Sequence, residues 1–178
     1  GGGAVALIVD HGWRAESTAE AEQVAEWLRA QGMAAHILTW RGSKPTTGVQ
    51  AAAREARYQL LVDRCDAEGI RHLLLGHHRN DQAETFLLRL SRGSGIDGLA
   101  CMAPRAHPPL SKVTDVRILR PLLAVPKSRL IATLEAWGVA WVEDPSNSSL
   151  DFTRVRMRQA LEGLESEGLT SERLSLTE

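Results

Sequence analysis

Short apolar runs alternate along the chain with longer segments of helical periodicity, and this alternation restricts the fold more than any other feature. Residues 4–9 form a continuous apolar run, as in a strand buried on both faces of a parallel sheet. Residues 16–31 then carry apolar side chains at helical spacing, and Gly32 follows as a C-terminal cap. Further strands are predicted at 35–40, 71–76, 116–123 and 139–142, and further helices at 49–68, 81–91, 126–137 and 152–164.

The order strand, helix, strand, helix predicts an α/β fold, a doubly wound and Rossmann-like parallel sheet with right-handed crossovers. Residues 92–109 are rich in glycine and proline and are predicted to be irregular. The residues after Leu164 are polar. We therefore expect a domain over 1–164 and a tail, or the start of a linker helix, over 165–178.

Composition and charge narrow the class of protein. The 178 residues suffice for one α/β domain, and no apolar stretch approaches the length that spans a bilayer. No signal peptide opens the sequence, so we expect no membrane association. Cys65 and Cys101 lack a CxxC partner and are interpreted as small apolar fillers in a cytoplasmic protein. A net charge of −1 leaves only local patches for binding a polyanion.

Two polar motifs follow predicted strands. Asp10-His11-Gly12 comes after the first strand, and Gly76-His77-His78 after the third. Ligands of such sheets bind beyond the carboxyl ends of the strands. Both motifs are therefore predicted to lie on the ligand-binding edge.

The second motif leads into a predicted helix whose first turns are rich in polar side chains. If that helix begins near His78, the spacing puts His77, Asp81 and Glu84 on one face. An imidazole with two carboxylates suits binding of an amine, orientation of a metal-bound phosphate, or proton transfer. The alternative is that Asn80 or Asp81 only caps the helix. Zinc is a weaker competitor, because the HExxH spacing is absent.

Arginines recur at helical spacing in two places. Arg54 and Arg57 precede Tyr58, and Arg154 and Arg158 lie in the last predicted helix. Two arginines directed into one cleft could bind a phosphate or stabilise negative charge that develops during a reaction. The alternative for both pairs is a solvated, charged helix face. The tryptophans are interpreted as core or rim packing, and only Trp13 adjoins a predicted ligand loop.

Several of these strings occur together in one known family. Asp10-His11-Gly12-Trp13-Arg14, the string from Gly48 to Tyr58, and the string from Gly76 to Thr85 with Arg92 to Leu99 resemble motifs of the tRNA(Ile)-lysidine synthases. Arg120-Pro121-Leu122-Leu123 and Glu143-Asp144-Pro145-Ser146-Asn147, followed by Arg154, complete the series. The resemblance extends from Ala4 to about Leu161, and each motif is modest alone. The family belongs to the PP-loop ATP pyrophosphatases, which share an adenine nucleotide alpha hydrolase-like fold.

The resemblance implies a reaction and its partners. Members adenylate the C2 oxygen of the wobble cytidine in a tRNA(Ile) precursor with ATP, and the amine of L-lysine then displaces AMP. Mg²⁺ offsets charge on the departing pyrophosphate.

Site roles follow from the same resemblance. His77, Arg57 and Arg154 match catalytic positions, and Asp81 with Glu84 matches the pair that holds the lysine ammonium. Nucleotide-binding positions correspond to Asp10, His11, Gly12 and Gly76, and no metal ligand is assigned.

The sequence departs from the family in two ways. Trp13 replaces the usual leucine, and the phosphate loop Ser-Gly-Gly-x-Asp-Ser, which carries the magnesium ligand, is expected upstream of Gly1. We therefore expect this polypeptide alone to be inactive. A strand missing from inside the sheet would also leave edges that a homodimer could cover.

Three other functions remain open. A related PP-loop tRNA thiolase or amide synthetase is the nearest, although thiolases of this group usually show paired cysteines. A non-catalytic nucleotide-binding module, like the universal stress proteins, would leave Asp81, Glu84 and Arg57 without a role. A metallohydrolase is the third.

Overall fold

The computed structural model describes residues 3–13, 16–42, 44–142 and 153–175. The chain divides into two compact units. The first comprises the residues up to Leu73 together with His107–Arg117, and the second comprises Leu74–Ala106 and the residues from Ile118 onwards. Within the described residues, no helix is long and apolar enough to cross a membrane.

The first unit is built on a parallel β-α-β element. Strands β1 (Val5–Asp10) and β2 (Ala34–Thr39) pair in parallel, and helix α1 (Glu16–Ala30) connects them. The register places Asp10 opposite Thr39, and the Trp40 N–H donates to the Asp10 carbonyl at 2.9 Å, so both strands end at the same edge. The α/β class and the parallel pairing are confirmed. The apolar side chains of β1 are half-buried, however, and among the described residues only β2 pairs with this strand.

Helix α2 (Val49–Ala67) also belongs to the first unit. It starts after Gly48, whose φ of 65° is left-handed, and it buries Tyr58, Leu61, Val62 and Cys65. Near its other end, Asp63 and Asp66 both contact Lys112, with Nζ to oxygen distances of 2.6 and 2.7 Å. These ion pairs hold the 107–117 segment against α2.

Strands β3 (His72–Leu74), β5 (Arg117–Leu119) and β4 (Arg105–Ala106) form a three-stranded sheet in that spatial order. β4 and β5 are antiparallel, so this sheet is not purely parallel as the sequence predicted. In the second unit, the buried Arg120 donates through Nη1 to the Ala103 carbonyl at 2.7 Å. The Arg-Pro-Leu-Leu motif therefore ties the end of β5 to the segment before β4.

The described residues of the second unit also form helices. They are α3 (Arg79–Leu90), α4 (Ile96–Leu99), α5 (Lys127–Ala136), α6 (Thr153–Leu164) and α7 (Ser171–Ser175). A small core joins α3, α6 and α7 through the buried side chains of Ala83, Leu161 and Leu174, with Phe86 and Leu87 packed against it.

Two expectations from the sequence differ from these elements. Residues 139–142 form no strand, because no neighbouring strand pairs with them. The segment 92–109, predicted to be irregular, contains α4 and the two-residue strand β4. In the stretch expected to be a tail or the start of a linker helix, residues 165–175 form a 3-10 turn at Glu165–Glu167 and helix α7, which buries Leu174.

Candidate functional site

The first group of candidate residues lies at the carboxyl ends of β1 and β2. Asp10 ends β1 and is 3% exposed. Its Oδ1 accepts hydrogen bonds from the Gly12 N–H and the Ser17 hydroxyl, both at 2.8 Å, and its Oδ2 accepts one from the Thr18 hydroxyl at 2.7 Å. Burial alone raises the pKa of the Asp10 carboxyl, but the hydrogen bonds from Thr18, Gly12 and Ser17 outweigh burial and lower this pKa. Asp10 thus holds the loop 10–12 and the start of α1 as an ionised carboxylate.

His11 connects this loop to α2. Its Nε2 lies 3.2 Å from Nε and 3.1 Å from Nη2 of Arg57. Burial and the neighbouring positive charge of Arg57 lower the pKa of His11. A neutral imidazole with its proton on Nδ1 can accept from the guanidinium at Nε2. The structure therefore brings two predicted site residues, His11 and Arg57, into direct contact.

Lys44 contacts the same loop. Its Nζ donates to the Gly12 carbonyl oxygen and lies 5.6 Å from the Trp13 ring centroid. Gly12 has a φ of 56°, and a Cβ there would lie 2.9 Å from the Lys44 Nζ. The left-handed backbone conformation favours glycine at position 12, whereas the flexible end of Lys44 could move away from a Cβ.

Two tryptophans border this group. Trp13, 40% exposed, meets Trp40 edge to face with ring centroids 5.9 Å apart. The His11 ring meets Trp40 at 6.2 Å. Sequence reasoning missed Lys44 and Trp40 as site residues. Their place just after β2 was the available signal, because the rule that located Asp10 applies equally to that strand end.

The second group surrounds the start of α3. The Asp81 Oδ2 accepts from the His78 N–H at 2.9 Å, so Asp81 closes one half of a capping box with His78 at the N-cap. The Asn80 Oδ1 accepts from the Lys127 N–H at 3.0 Å and caps α5. Neither Asn80 nor Asp81 is itself the N-cap of α3, although both carry capping hydrogen bonds. His77 precedes the N-cap and is half-buried.

Further along α3, the polar side chains are buried and engaged. Gln82 exchanges two hydrogen bonds with the backbone of Met102, at 2.9 and 3.0 Å. Glu84 is 2% exposed, and its Oε1 lies 2.8 Å from both Nε and Nη2 of Arg158. Arg154, one turn earlier on α6, is exposed. Of the arginine pair predicted from spacing, Arg158 has a buried acidic partner distant in sequence.

The last two candidates are Gly76 and the motif that follows Val142. Gly76 is exposed, and a Cβ there would meet no atom within 4 Å. The Glu143-Asp144-Pro145-Ser146-Asn147 motif lies outside the described residues. Across 3–13, 16–42, 44–142 and 153–175, no three His, Cys, Asp or Glu side chains form a group able to hold a metal ion.

Comparison with known sequences places this chain in a family. The sequence profile of the PP-loop domain matches residues 3–164. The chain belongs to the PP-loop family. Curated relatives of this PP-loop chain include the tRNA(Ile)-lysidine synthase of Bradyrhizobium diazoefficiens, 46% identical over 162 residues. That of Rhodopseudomonas palustris is 48% identical over 168 residues.

The chain matches only part of the length of these relatives. The alignments cover 91% and 94% of this PP-loop chain, but the chain spans only 44% and 47% of the two relatives. Among solved structures, the U34-tRNA thiolase NcsA from Methanococcus maripaludis, with its [4Fe-4S] cluster, is similar with a TM-score of 0.78 and 17% identity. That similarity covers 97% of this chain and 60% of the thiolase, and it supports the PP-loop fold.

Proposed function

We propose that the natural protein carrying this chain uses ATP to join L-lysine to C2 of the wobble cytidine in a tRNA(Ile) precursor. One observation carries the proposal: lysidine synthases match more than nine-tenths of the chain at 46 and 48% identity. The cytidine C2 oxygen attacks the α-phosphorus of ATP and pyrophosphate leaves. The lysine ammonium gives up a proton to solvent, the neutral amine attacks C2, the C2–oxygen bond breaks, and AMP departs.

The nucleotide side of the proposal uses the first group of residues. Asp10 is already engaged by three donors, so its part is to fix the backbone of His11 and Gly12. Arg57, oriented by neutral His11, supplies positive charge for the phosphates as negative charge develops on them. Arg154 and His77 act at the activated cytidine, and Gly76 lies against the nucleotide.

The lysine side uses Asp81 and Glu84. One oxygen of each carboxylate already accepts a hydrogen bond: Oδ2 of Asp81 from the His78 N–H, and Oε1 of Glu84 from Arg158. The other oxygen of each is the acceptor proposed for the lysine ammonium, because an ionised carboxylate accepts at both oxygens.

The cysteines support ligation over thiolation. Burial raises the pKa of both the Cys65 thiol and the Cys101 thiol. A thiolase needs thiolates for a persulfide or a cluster, and raised pKa values favour the protonated thiols instead.

The test is lysine incorporation by the full-length natural protein. With ATP, a tRNA(Ile) transcript and radiolabelled lysine, we expect lysine-dependent labelling of the tRNA and release of AMP. Incorporation of sulfur from a sulfur donor, with no lysine transfer, would replace this proposal by the thiolase alternative.

The Asp81→Asn variant distinguishes an effect on lysine binding from an effect on ATP binding. Asparagine keeps an oxygen that accepts from the His78 N–H, so the helix start survives while the charge is removed. We expect the KM for lysine to rise about tenfold or more, with a much smaller change for ATP, since a charge-assisted hydrogen bond is lost. Equal effects on both ligands would contradict the assigned ammonium site.

A further inference from the structure

Residues 101–104, which we call the bridge segment, contact helix α3 through their first two members. The Arg89 Nη1 donates to the Cys101 carbonyl at 3.2 Å. The Gln82 Nε2 donates to the Met102 carbonyl at 2.9 Å, and the Gln82 Oε1 accepts from the Met102 N–H at 3.0 Å. Gln82 is 3% exposed, so its two bonds are shielded from water. Two side chains of α3 therefore hold the first half of the bridge segment.

Arg120, the residue directly after β5, holds the second half. Its Nη1 donates to the Ala103 carbonyl at 2.7 Å, and its backbone N–H donates to the Pro104 carbonyl at 2.8 Å. Each of the four carbonyl groups of the bridge segment thus accepts a hydrogen bond, two from α3 and two from Arg120. The bridge segment therefore fixes α3 relative to the end of β5, within the second unit.

The backbone at the start of the bridge segment depends on these contacts. Cys101 is a non-glycine residue with a φ of 59°, a left-handed conformation that penalises a side chain. Such a conformation persists where the surrounding structure over-determines it. The bonds from Arg89 at Cys101 itself and from Gln82 at the next residue supply that constraint.

The Arg120 side chain is only partly compensated for its burial. It is 7% exposed, and within the described part of the chain its buried Nε has no hydrogen-bond partner. Burying a charged group with an unsatisfied donor costs free energy, even though the bond from Nη1 to Ala103 offsets part of that cost. Stability of the fold alone therefore does not account for an arginine at this position.

Gln82 connects the bridge segment to the proposed lysine site. It lies on α3 between Asp81 and Glu84, the two carboxylates proposed to hold the lysine ammonium. A helix moves as a rigid element, so a shift of Gln82 displaces both carboxylates with it. The residues assigned to the nucleotide, including His11 and Arg57, belong to the first unit.

We propose that Gln82 and Arg120 are positioning residues, which act through the bridge segment to set where Asp81 and Glu84 meet the lysine ammonium. This inference rests on the proposed lysine transfer. Neither Gln82 nor Arg120 contacts lysine or ATP in this role.

Kinetics of lysine transfer by the full-length natural protein test the inference. Gln82→Met and Arg120→Met each replace a donor to the bridge segment by an unbranched side chain without one. Each variant should raise the KM for lysine about three- to tenfold, because a small displacement of binding groups weakens a site markedly. The KM for ATP and kcat should change by less than about twofold, since the loss falls on lysine binding alone. Circular dichroism and thermal melting verify that each variant is folded at the assay temperature.

Two further variants separate positioning from a general loss of packing. Arg120→Lys keeps a donor for the Ala103 carbonyl and should return the KM for lysine to within about twofold of the unaltered protein. Gln82→Met combined with Arg120→Met should raise this KM by less than the product of the two single effects, because both side chains act through one segment.

The matched controls remove comparable bonds elsewhere. Arg173→Met removes an arginine bond to the Gly168 carbonyl, and Gln59→Met removes the bonds of an exposed glutamine to Asp63. Neither control should alter the KM for lysine. Equal increases in the KM for lysine and for ATP, no recovery in Arg120→Lys, or fully multiplicative effects in the double variant would overturn the positioning role alone. Absence of lysine transfer by the unaltered protein would refute the proposed function, and this inference with it.

Discussion

Both Nε and Nη2 of Arg158 lie 2.8 Å from Oε1 of Glu84, so α6 supplies the positive charge for a carboxylate that is 2% exposed on α3. Burying an isolated carboxylate is costly, and removing one partner of a buried pair leaves that cost uncompensated. The pair therefore has a structural role alongside the ammonium-binding role proposed for Glu84.

Arg158→Met should lower the free energy of unfolding by about 1–3 kcal/mol, because it leaves the buried Glu84 carboxylate without its partner. Adding Glu84→Gln to this variant removes the buried charge and should restore much of the loss. Urea unfolding measures both. Arg154→Met on the exposed turn of α6 is the control and should change stability by less than about 0.5 kcal/mol. Equal losses at 154 and 158 would show that the ion pair does not stabilise the fold.

Acid should destabilise the first unit through Asp10. Its pKa is lowered from the usual 3.8 by the hydrogen bonds from Thr18, Gly12 and Ser17, despite opposing burial. A carboxyl with a lower folded pKa contributes stability above the unfolded pKa, and this contribution is lost as the pH falls through the folded pKa. Asp10→Ala should therefore destabilise the chain at pH 7 and flatten the decline in stability below about pH 4. Melting temperatures of the unaltered chain and the variant are measured between pH 8 and 3. Parallel declines of the two melting temperatures in acid would refute the stabilising role of the Asp10 carboxylate.

His11 should add a separate acid-dependent loss at higher pH. Burial and Arg57 lower its pKa from the usual 6.5, so the unfolded chain takes up this proton first as the pH falls. Stability should decline from about pH 6.5 downwards until the pH passes the folded pKa. His11→Gln keeps a polar side chain that cannot titrate in this range and should flatten the decline between pH 7 and 5. NMR titration of the imidazole checks the direction, and a pKa at or above 6.5 would exclude this contribution.

Helix α7 should contribute to the stability of α3. Leu174 is 6% exposed in the core that contains Ala83 and Leu161. Leu174→Ala should therefore cost about 2–3 kcal/mol, as expected for a deletion in a small core. Leu169→Ala, at a side chain that is 40% exposed, is the matched control and should cost much less. Urea midpoints report both, and similar costs at the two positions would mean that α7 does not pack as described.

The periodic segments were predictable because their signals are local. The helices near 16–31 and 49–68 and the first two strands follow from apolar spacing and flanking glycines, and all four are present within a residue or two. The run at 139–142 satisfied the same local pattern without forming a strand. A strand exists only through its neighbours, and a four-residue sequence does not specify them.

Long-range pairings escaped prediction for a different reason. Spacing indicated that Asp81 and Glu84 share a turn with His77, but it did not indicate that Arg158, 74 residues later, contacts Glu84. The partnership of His11 with Arg57 also joins residues far apart, 46 positions in this case. Trp40 was interpreted only as a packing residue, and Lys44 was not singled out, because a single residue at a strand end or in a loop has no periodicity.

The left-handed backbone of Gly12 has an evolutionary consequence. A methyl group at position 12 would lie 2.9 Å from the Lys44 ammonium, but that group ends a flexible side chain and can move aside, whereas the φ of 56° penalises any side chain there. In homologous proteins the glycine at 12 should therefore persist whichever residue occupies position 44. A protein lineage that lost the lysine would keep the glycine, because the course of the loop alone demands it.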